Sequence, residues 1–396
     1  MGGRLKVALV FEGEIEIGGG FQQQLSVLLR LCGNRDFDFV PVVFTRQNQI
    51  MLASMHIESI LCKRGVISKI KEKCIEHSVV RFFIHRLPIM GALEKTLYKH
   101  SIDICYFLTQ STLSLSLIDM RYILTIFDTS HRDFMEFPEV YEKFQFDNRE
   151  FMMHRAINKA VAVVVDSQYS KQNIIMRYGT SADRVHVCHY SPSVNATPSR
   201  SPIDIKAKYN IQGEYIYYPA QFWAHKNHIY ILEALKILRD RDITLYAIFS
   251  GSNRGNLSYI SRKIDEFGLH DIVRYIGFAP NEELSSLYMQ SLALVMPTYF
   301  GPTNIPPLEA FALGVPVVYS NLPDLQEQVG DAALLCNLTN PVSLANHLES
   351  LLLNGALRQN LIQRGYERLR DLNRYDIVEV VVPVLHSFAI KQKCWK

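Results

Sequence analysis

The chain has 396 residues, about two to three times the usual single-domain size, so two domains are expected rather than one core. Hydrophobic residues at 48% and charged residues at 20% exclude a disordered, collagen-like or coiled-coil chain. The 42 Lys+Arg against 39 Asp+Glu leave +3, too small a surplus to advertise nucleic acid as a partner.

In chain order, the apolar run 5–11 meets acidic residues at once, which fits a buried strand and not a signal peptide. No stretch reaches the roughly 18 apolar residues that a spanning helix needs. Gly18, Gly19 and Gly20 form a turn into a helix that carries Phe21, Leu25, Leu28 and Leu29 on one face. Further strands are expected at 39–44, 104–108, 122–127, 161–166 and 185–188. Residues 191–205 turn to Ser, Pro, Asn, Thr and Arg, the composition of a linker. Beyond it, apolar runs at 215–218, 244–249, 273–276, 293–296, 317–319 and 333–335 alternate with segments of helical period. That alternation requires parallel sheets covered by helices on both faces. The organisation expected is an α/β pair of doubly wound domains: 1–195, a linker at 196–213, 214–375, and a helix at 376–396 returning to the first domain.

Seven cysteines with no Cys-x-x-Cys pair suggest neither a disulfide framework nor a zinc site, which places the chain in the cytoplasm. The Asn-x-Ser/Thr triplets starting at Asn195, Asn256 and Asn337 would be silent there.

In doubly wound folds ligands sit beyond the carboxyl ends of the strands, so those loops carry the chemistry. Glycines 18–20 either let backbone approach a phosphate or sugar, or simply make a tight turn. Lys226, in the segment 219–228 before a helix, suits a diphosphate, and the alternative is a solvated lysine. Trp223 and His225 beside it read equally as domain-interface packing. The most informative segment is 296–318, where a strand gives way to a Gly/Pro/Thr/Asn loop and Pro306 or Pro307 opens a helix. Glu309 in its first turn either favours the helix dipole or accepts hydrogen bonds from sugar hydroxyls, with the amides of Thr303, Asn304 and Ile305 as donors. A basic stretch, 62–76, sets Val66, Ile70 and Cys74 on one helical face beside lysines, either for anionic lipid or a lipid-diphosphate, or as a solvated surface.

The segment 296–318, with Lys226 upstream and 320–335 downstream, resembles the retaining glycosyltransferases of family 4. The resemblance implies two Rossmann-like domains facing a cleft, the B-type glycosyltransferase fold, with no metal and no cofactor other than a nucleoside-diphosphate sugar donor. It places Lys226 on the donor diphosphate and makes Glu309 the second Glu of the family's Glu-x7-Glu motif, on the donor ribose. Gly251 and Ser252 fall in the nucleotide-side loop, glycines 18–20 in the turn facing the donor phosphates, and Phe278 and Glu283 in the stretch bordering the base. The segment 125–139 resembles the family's His-Asp region. Phe127 stands where the His often is, Asp128 is retained, His131 reaches a donor-sugar or acceptor hydroxyl or is structural, and Arg132 and Asp133 lie on the acceptor side.

Two departures accompany the likeness. Gly301 occupies the place of the motif's first Glu, and Gln221 that of the arginine preceding the lysine, which removes a fixed charge. The activity implied is transfer of a sugar, mannose as the guess, to a hydroxyl of a growing polysaccharide or glycolipid, as in O-antigen or capsule synthesis, by a cytoplasmic enzyme with peripheral contact to the inner face of the plasma membrane. The alternatives are a glycan- or nucleotide-binding relative with weak or lost turnover, and a nucleotide-sugar epimerase of the same fold.

Overall fold

The computed structural model describes residues 4–13, 18–65, 90–193, 196–301, 303–374 and 376–395. Two compact units emerge. The first takes in 1–135, 140–189 and 375–396, and the second takes in Glu136–Glu139 and Tyr190–Arg374.

The first unit holds a sheet of β1 (Lys6–Phe11), β2 (Asp38–Val43), β3 (Ile60–Leu61), β4 (Ile104–Phe107), β5 (Tyr122–Thr125), β6 (Ala162–Val165) and β7 (Val185–Val187). Its order is β3-β2-β1-β4-β5-β6-β7 with every pairing parallel. Residues alternate between two cores, one on each face: Ala8 and Val10 join Val163 and Val165, whereas Val7 and Leu9 join Val164. Strands buried on both faces must be apolar throughout, which is why they are visible as unbroken hydrophobic runs. The helix Ile377–Gln392 lays Ile377, Val381, Leu385 and Phe388 on the second of these cores. Asp376 caps it through Val378 N–H and pairs with Arg30 at 2.7 Å.

The second unit holds β8 (Tyr215–Pro219), β9 (Tyr246–Ser250), β10 (Val273–Tyr275), β11 (Ala293–Met296), β12 (Val317–Ser320) and β13 (Ala333–Cys336). The order β10-β9-β8-β11-β12-β13 is again parallel. Both sheets therefore reverse strand order once, between β1 and β4 and between β8 and β11, and at such a switch point neighbouring loops splay apart to leave a ligand crevice.

The structure corrects three sequence expectations and adds one unexpected strand. Glycines 18–20 are the opening residues of the helix Gly18–Cys32, not a turn before it. Residues 203–213 are integral to the second unit and not a linker. Ile203 N–H bonds Ser286 Oγ at 3.0 Å, Ile205 N–H bonds Gln290 Oε1 at 3.0 Å, and Ile205 is fully buried. The short strand β3 had no periodic signature. The helix after β11 runs Ile305–Ala312 with Asn304 as its N-cap residue, so it starts one or two residues earlier than expected and Glu309 falls in its second turn. From Val66 onward the basic stretch 62–76 lies outside the described residues, as does Asn195.

Candidate functional site

The second unit's switch point is flanked by the loop 220–227 after β8 and the loop 297–304 after β11. Each delivers the N-terminus of a helix, His228–Asp240 and Ile305–Ala312. Between them Lys226 Nζ donates to Asn304 Oδ1 at 2.9 Å. Asn304 is the hub. Its Nδ2 donates to Gly301 O at 2.8 Å and to Tyr319 Oη at 2.6 Å, and its main-chain N–H donates to Gln328 Oε1 at 3.1 Å. Tyr319 Oη donates to the same Gln328 oxygen at 3.0 Å, and Gln328 Nε2 returns a bond to Asn304 O at 2.5 Å. Each side chain in this buried network uses its donor and acceptor atoms in a consistent sense, so the loop carrying Asn304 is held rigidly. The Asn304 amide is thereby occupied, and of the three amides expected to meet a ligand it is removed.

Glycine is required at two of these positions. Gly301 has φ +105°, a region side chains rarely adopt, and a Cβ there would lie 3.1 Å from Asn304 Oδ1. Gly251, after β9, has φ +142°, and a Cβ would lie 2.3 Å from Ala220 O, so the β8 and β9 ends approach backbone to backbone. Ser252 O accepts Phe222 N–H at 3.0 Å along the same contact. Phe278, 62% exposed, follows Gly277, whose carbonyl accepts Gly251 N–H at 2.7 Å.

Gln221, where the family's arginine would stand, accepts Trp223 Nε1–H at 3.0 Å, and the Arg254 guanidinium lies 5.7 Å from the Trp223 ring centroid. A cation thus borders the loop from a different strand end. His228, fully buried and stacked on Phe222 at 4.2 Å, has its pKa lowered to about 3 by burial and by nearby Lys226, and stays neutral.

Glu309 is buried, in the second turn of its helix. Tyr288 Oη donates to its Oε2 at 2.6 Å, and burial raises its pKa against the help of the Tyr288 and Ser193 hydrogen bonds. Tyr288 packs edge-on to Tyr217, whose hydroxyl meets Ser250 Oγ at 2.8 Å at the end of β9. Glu283 does not border an open base site. It is buried on the helix Asn281–Met289, ion-paired to Lys208 and bonded by Tyr209 Oη at 2.7 Å. Its work is to fasten the helix Ile205–Lys208.

In the first unit the expected residues gather at the carboxyl ends of β1 and β5, where a Cβ on Gly20 would lie 3.9 Å from the Phe127 ring. Their charges are committed to internal partners. Asp128 pairs with Arg149 and accepts Ser130 N–H at 3.0 Å; burial opposes its ionisation, but Arg149 and that bond lower its pKa. His131 is fully buried with Nε2 2.6 Å from Glu150 Oε1, not presented to a ligand. Arg132 chelates the same Glu150, Tyr178 Oη bonds it at 3.0 Å, and Asp133 is chelated by Arg177. The cause is the 3₁₀ turn Ser130–Arg132, which tucks the loop against the helices Gln145–Lys159 and Gln168–Tyr178.

Sequence reasoning missed Tyr288, Tyr319, Gln328, Arg254 and Glu139. The tyrosines look like ordinary strand and helix residues, and Glu139 lies 86 positions from its partner His225. Among the described residues no group of three or more His, Cys, Asp or Glu could hold a metal ion, and no helix is long and apolar enough to cross a membrane.

Residues 203–368 match the family of glycosyl transferases group 1. This region contains the whole Lys226–Asn304–Gln328 network. Over 241 residues, 60% of this chain and 63% of the relative, the sequence is 27% identical to the O-antigen chain mannosyltransferase B of Escherichia coli. Over 188 residues, 47% of this chain and 50% of the relative, it is 24% identical to the O-antigen chain mannosyltransferase RfbU of Salmonella typhimurium. The match thus spans less than two thirds of these relatives' length. The chain resembles bacterial surface-polysaccharide glycosyltransferases. Anabaena HepE, solved in complex with UDP-glucose, superposes with a TM-score of 0.68 at 15% identity, covering 98% of this chain and 100% of that one. WaaG, a glycosyltransferase involved in lipopolysaccharide biosynthesis, gives 0.67 at 13% identity over 94% and 97%. The fold is that of the B-type glycosyltransferases.

Proposed function

We propose that the protein is a retaining glycosyltransferase that moves a sugar from a nucleoside diphosphate to a hydroxyl of a growing surface polysaccharide or glycolipid. The observation that carries the reading is Lys226, held by Asn304 at the switch point of a group 1 glycosyl transferase region. An ammonium donating to a neutral amide oxygen can exchange that partner for a phosphate oxygen, which it binds more strongly. HepE's UDP-glucose supports a nucleotide sugar as the donor, and the O-antigen relatives support mannose as the sugar.

In the reaction the bond from the anomeric carbon to the diphosphate breaks and its electron pair leaves with the phosphate oxygen. The acceptor oxygen forms the new bond on the same face, and its proton passes to the departing diphosphate. Lys226 and the N-termini of the helices His228–Asp240 and Ile305–Ala312 stabilise the charge that develops. Glu309 takes the ribose hydroxyls, with Tyr288 fixing its carboxylate. The Thr303 and Ile305 amides are the loop donors left to meet the donor. No metal enters this scheme.

The test is incubation with GDP-mannose, UDP-glucose and related donors against lipid-linked glycan acceptors, with the anomeric configuration of the product read by NMR. Transfer with retention, lost in Lys226→Ala, supports the reading. Donor binding without transfer across the panel replaces it with the non-catalytic relative. Interconversion of the sugar nucleotide without an acceptor replaces it with an epimerase.

A further inference from the structure

The segment Glu136–Glu139 belongs to the second unit, although Met135 and Val140 on either side of it belong to the first. Glu139 Oε1 accepts two hydrogen bonds from one residue, the main-chain N–H of His225 at 2.9 Å and its ring Nδ1. The His225 carbonyl is held as well, by Tyr299 N–H at 2.9 Å and Thr298 Oγ1 at 3.4 Å. Its ring stacks on Phe300 at 3.8 Å and 16°, and Phe137 packs against both Tyr299 at 5.2 Å and Phe300 at 5.7 Å. Four residues of chain therefore grip both loops of the switch point, and the residue gripped hardest immediately precedes Lys226.

We propose that Glu139 is a positioning residue: through His225 it fixes the Lys226 turn against the 298–300 loop and so sets where the lysine ammonium meets the donor diphosphate. This rests on the transferase reading above. The carboxylate needs no contact with substrate. Side chains of Glu139 and His225 are 8% and 10% exposed, so the pair is largely withdrawn from water and the carboxylate's hydrogen bonds are spent on the loop. Burial opposes ionisation of Glu139, but the His225 hydrogen bonds lower its pKa and keep it a strong acceptor.

The experiment compares Glu139→Leu, which keeps bulk and removes the acceptor, with Glu139→Gln, which keeps an oxygen in the same place. Of the two tryptophans in the chain, Trp223 lies in the gripped loop, so a Trp395→Phe background leaves its fluorescence as a local probe. Glu139→Leu is expected to raise acrylamide quenching of Trp223 about twofold and to lower kcat about 30-fold with donor KM changed less than about threefold, because a misplacement near 1 Å costs up to about 100-fold. Glu139→Gln is expected to restore both to within about threefold of the parent. Unchanged Trp223 quenching in the leucine variant, or an equal loss of kcat in both variants, overturns the proposal. Failure of the transferase reading shows separately, as no transfer by the parent protein; the quenching comparison then decides on its own whether Glu139 holds the turn.

Discussion

The loop beyond β5 in the first sheet and those beyond β8 and β11 in the second all lie at the carboxyl ends of parallel strands, yet the chemistry around their charged residues differs. In the first unit Asp128, Arg132 and Asp133 are ion-paired to Arg149, Glu150 and Arg177, and His131, whose pKa is lowered by burial and by Arg149, hydrogen-bonds the same Glu150. In the second, Lys226 donates to the neutral oxygen of Asn304, which is fixed by other neutral groups, Tyr319 and Gln328. A charge chelated by its opposite has little left for a ligand, because exchange would strand the partner. The bond from Lys226 to Asn304 pairs an ammonium with a neutral acceptor, and a phosphate oxygen is the stronger acceptor of the two. The contrast teaches that a motif's residue types say less about ligand binding than the chemistry of whatever holds them.

The largest effect that can break this comparison is at Lys226. Lys226→Ala is expected to lower kcat by about 1,000-fold, near the upper end for one preorganised charge at a leaving group. A fall of less than tenfold in a steady-state transfer assay would place the charge elsewhere. Next comes Gly301→Glu, which restores the carboxylate that the family motif carries at that position. At φ +105° a side chain strains the backbone by about 1–3 kcal/mol and its Cβ crowds Asn304 Oδ1 at 3.1 Å. Transfer is expected to drop about tenfold, as Asn304 loses its grip on Lys226. Enhanced transfer would show that the loop accepts the family's geometry after all.

The same contrast explains what was legible in the sequence. Both sheets could be read, strand by strand except for β3, because parallel strands covered on two faces must be continuous apolar runs. Lys226, Asn304 and the Gly301 departure were also legible, since they sit within a short segment whose glycines and prolines punctuate a strand-loop-helix passage. The burial of His131 and Glu283 was not, because Glu150 and Lys208 lie 19 and 75 positions from them. Local spacing carries no information on such partners. For the same reason the hydrogen bond to Glu309 from Tyr288, on another helix, had no local signal.

If the first unit's charges are structural, their effect must appear in stability. Burial of Glu150 raises its pKa, but Arg132, His131 and Tyr178 outweigh that and bring it to about 2. The folded value lies below the unfolded value of about 4.3, so this group stabilises the protein above about pH 4.3 and ceases to do so as pH falls toward 2. Over that window roughly 2–3 kcal/mol is expected to be lost. Thermal midpoints between pH 5 and pH 2.5 check this: Glu150→Gln should begin lower and show the shallower acid dependence, and parallel curves would remove Glu150 from the account.

The smallest effect concerns the cation bordering the second unit's loop. With Gln221 in place of an arginine, Arg254 over Trp223 is a positive charge near the switch point that arrives from the end of β9. Exposed to water, it is screened and acts at a distance, so Arg254→Ala is expected to raise donor KM about two- to fivefold and leave kcat within about twofold. The increase should shrink as salt rises from 50 to 500 mM, since screening weakens a long-range attraction but not a direct contact. A salt-independent rise in KM would instead mean that Arg254 touches the donor, and the second unit would then hold its anion with two cations rather than one.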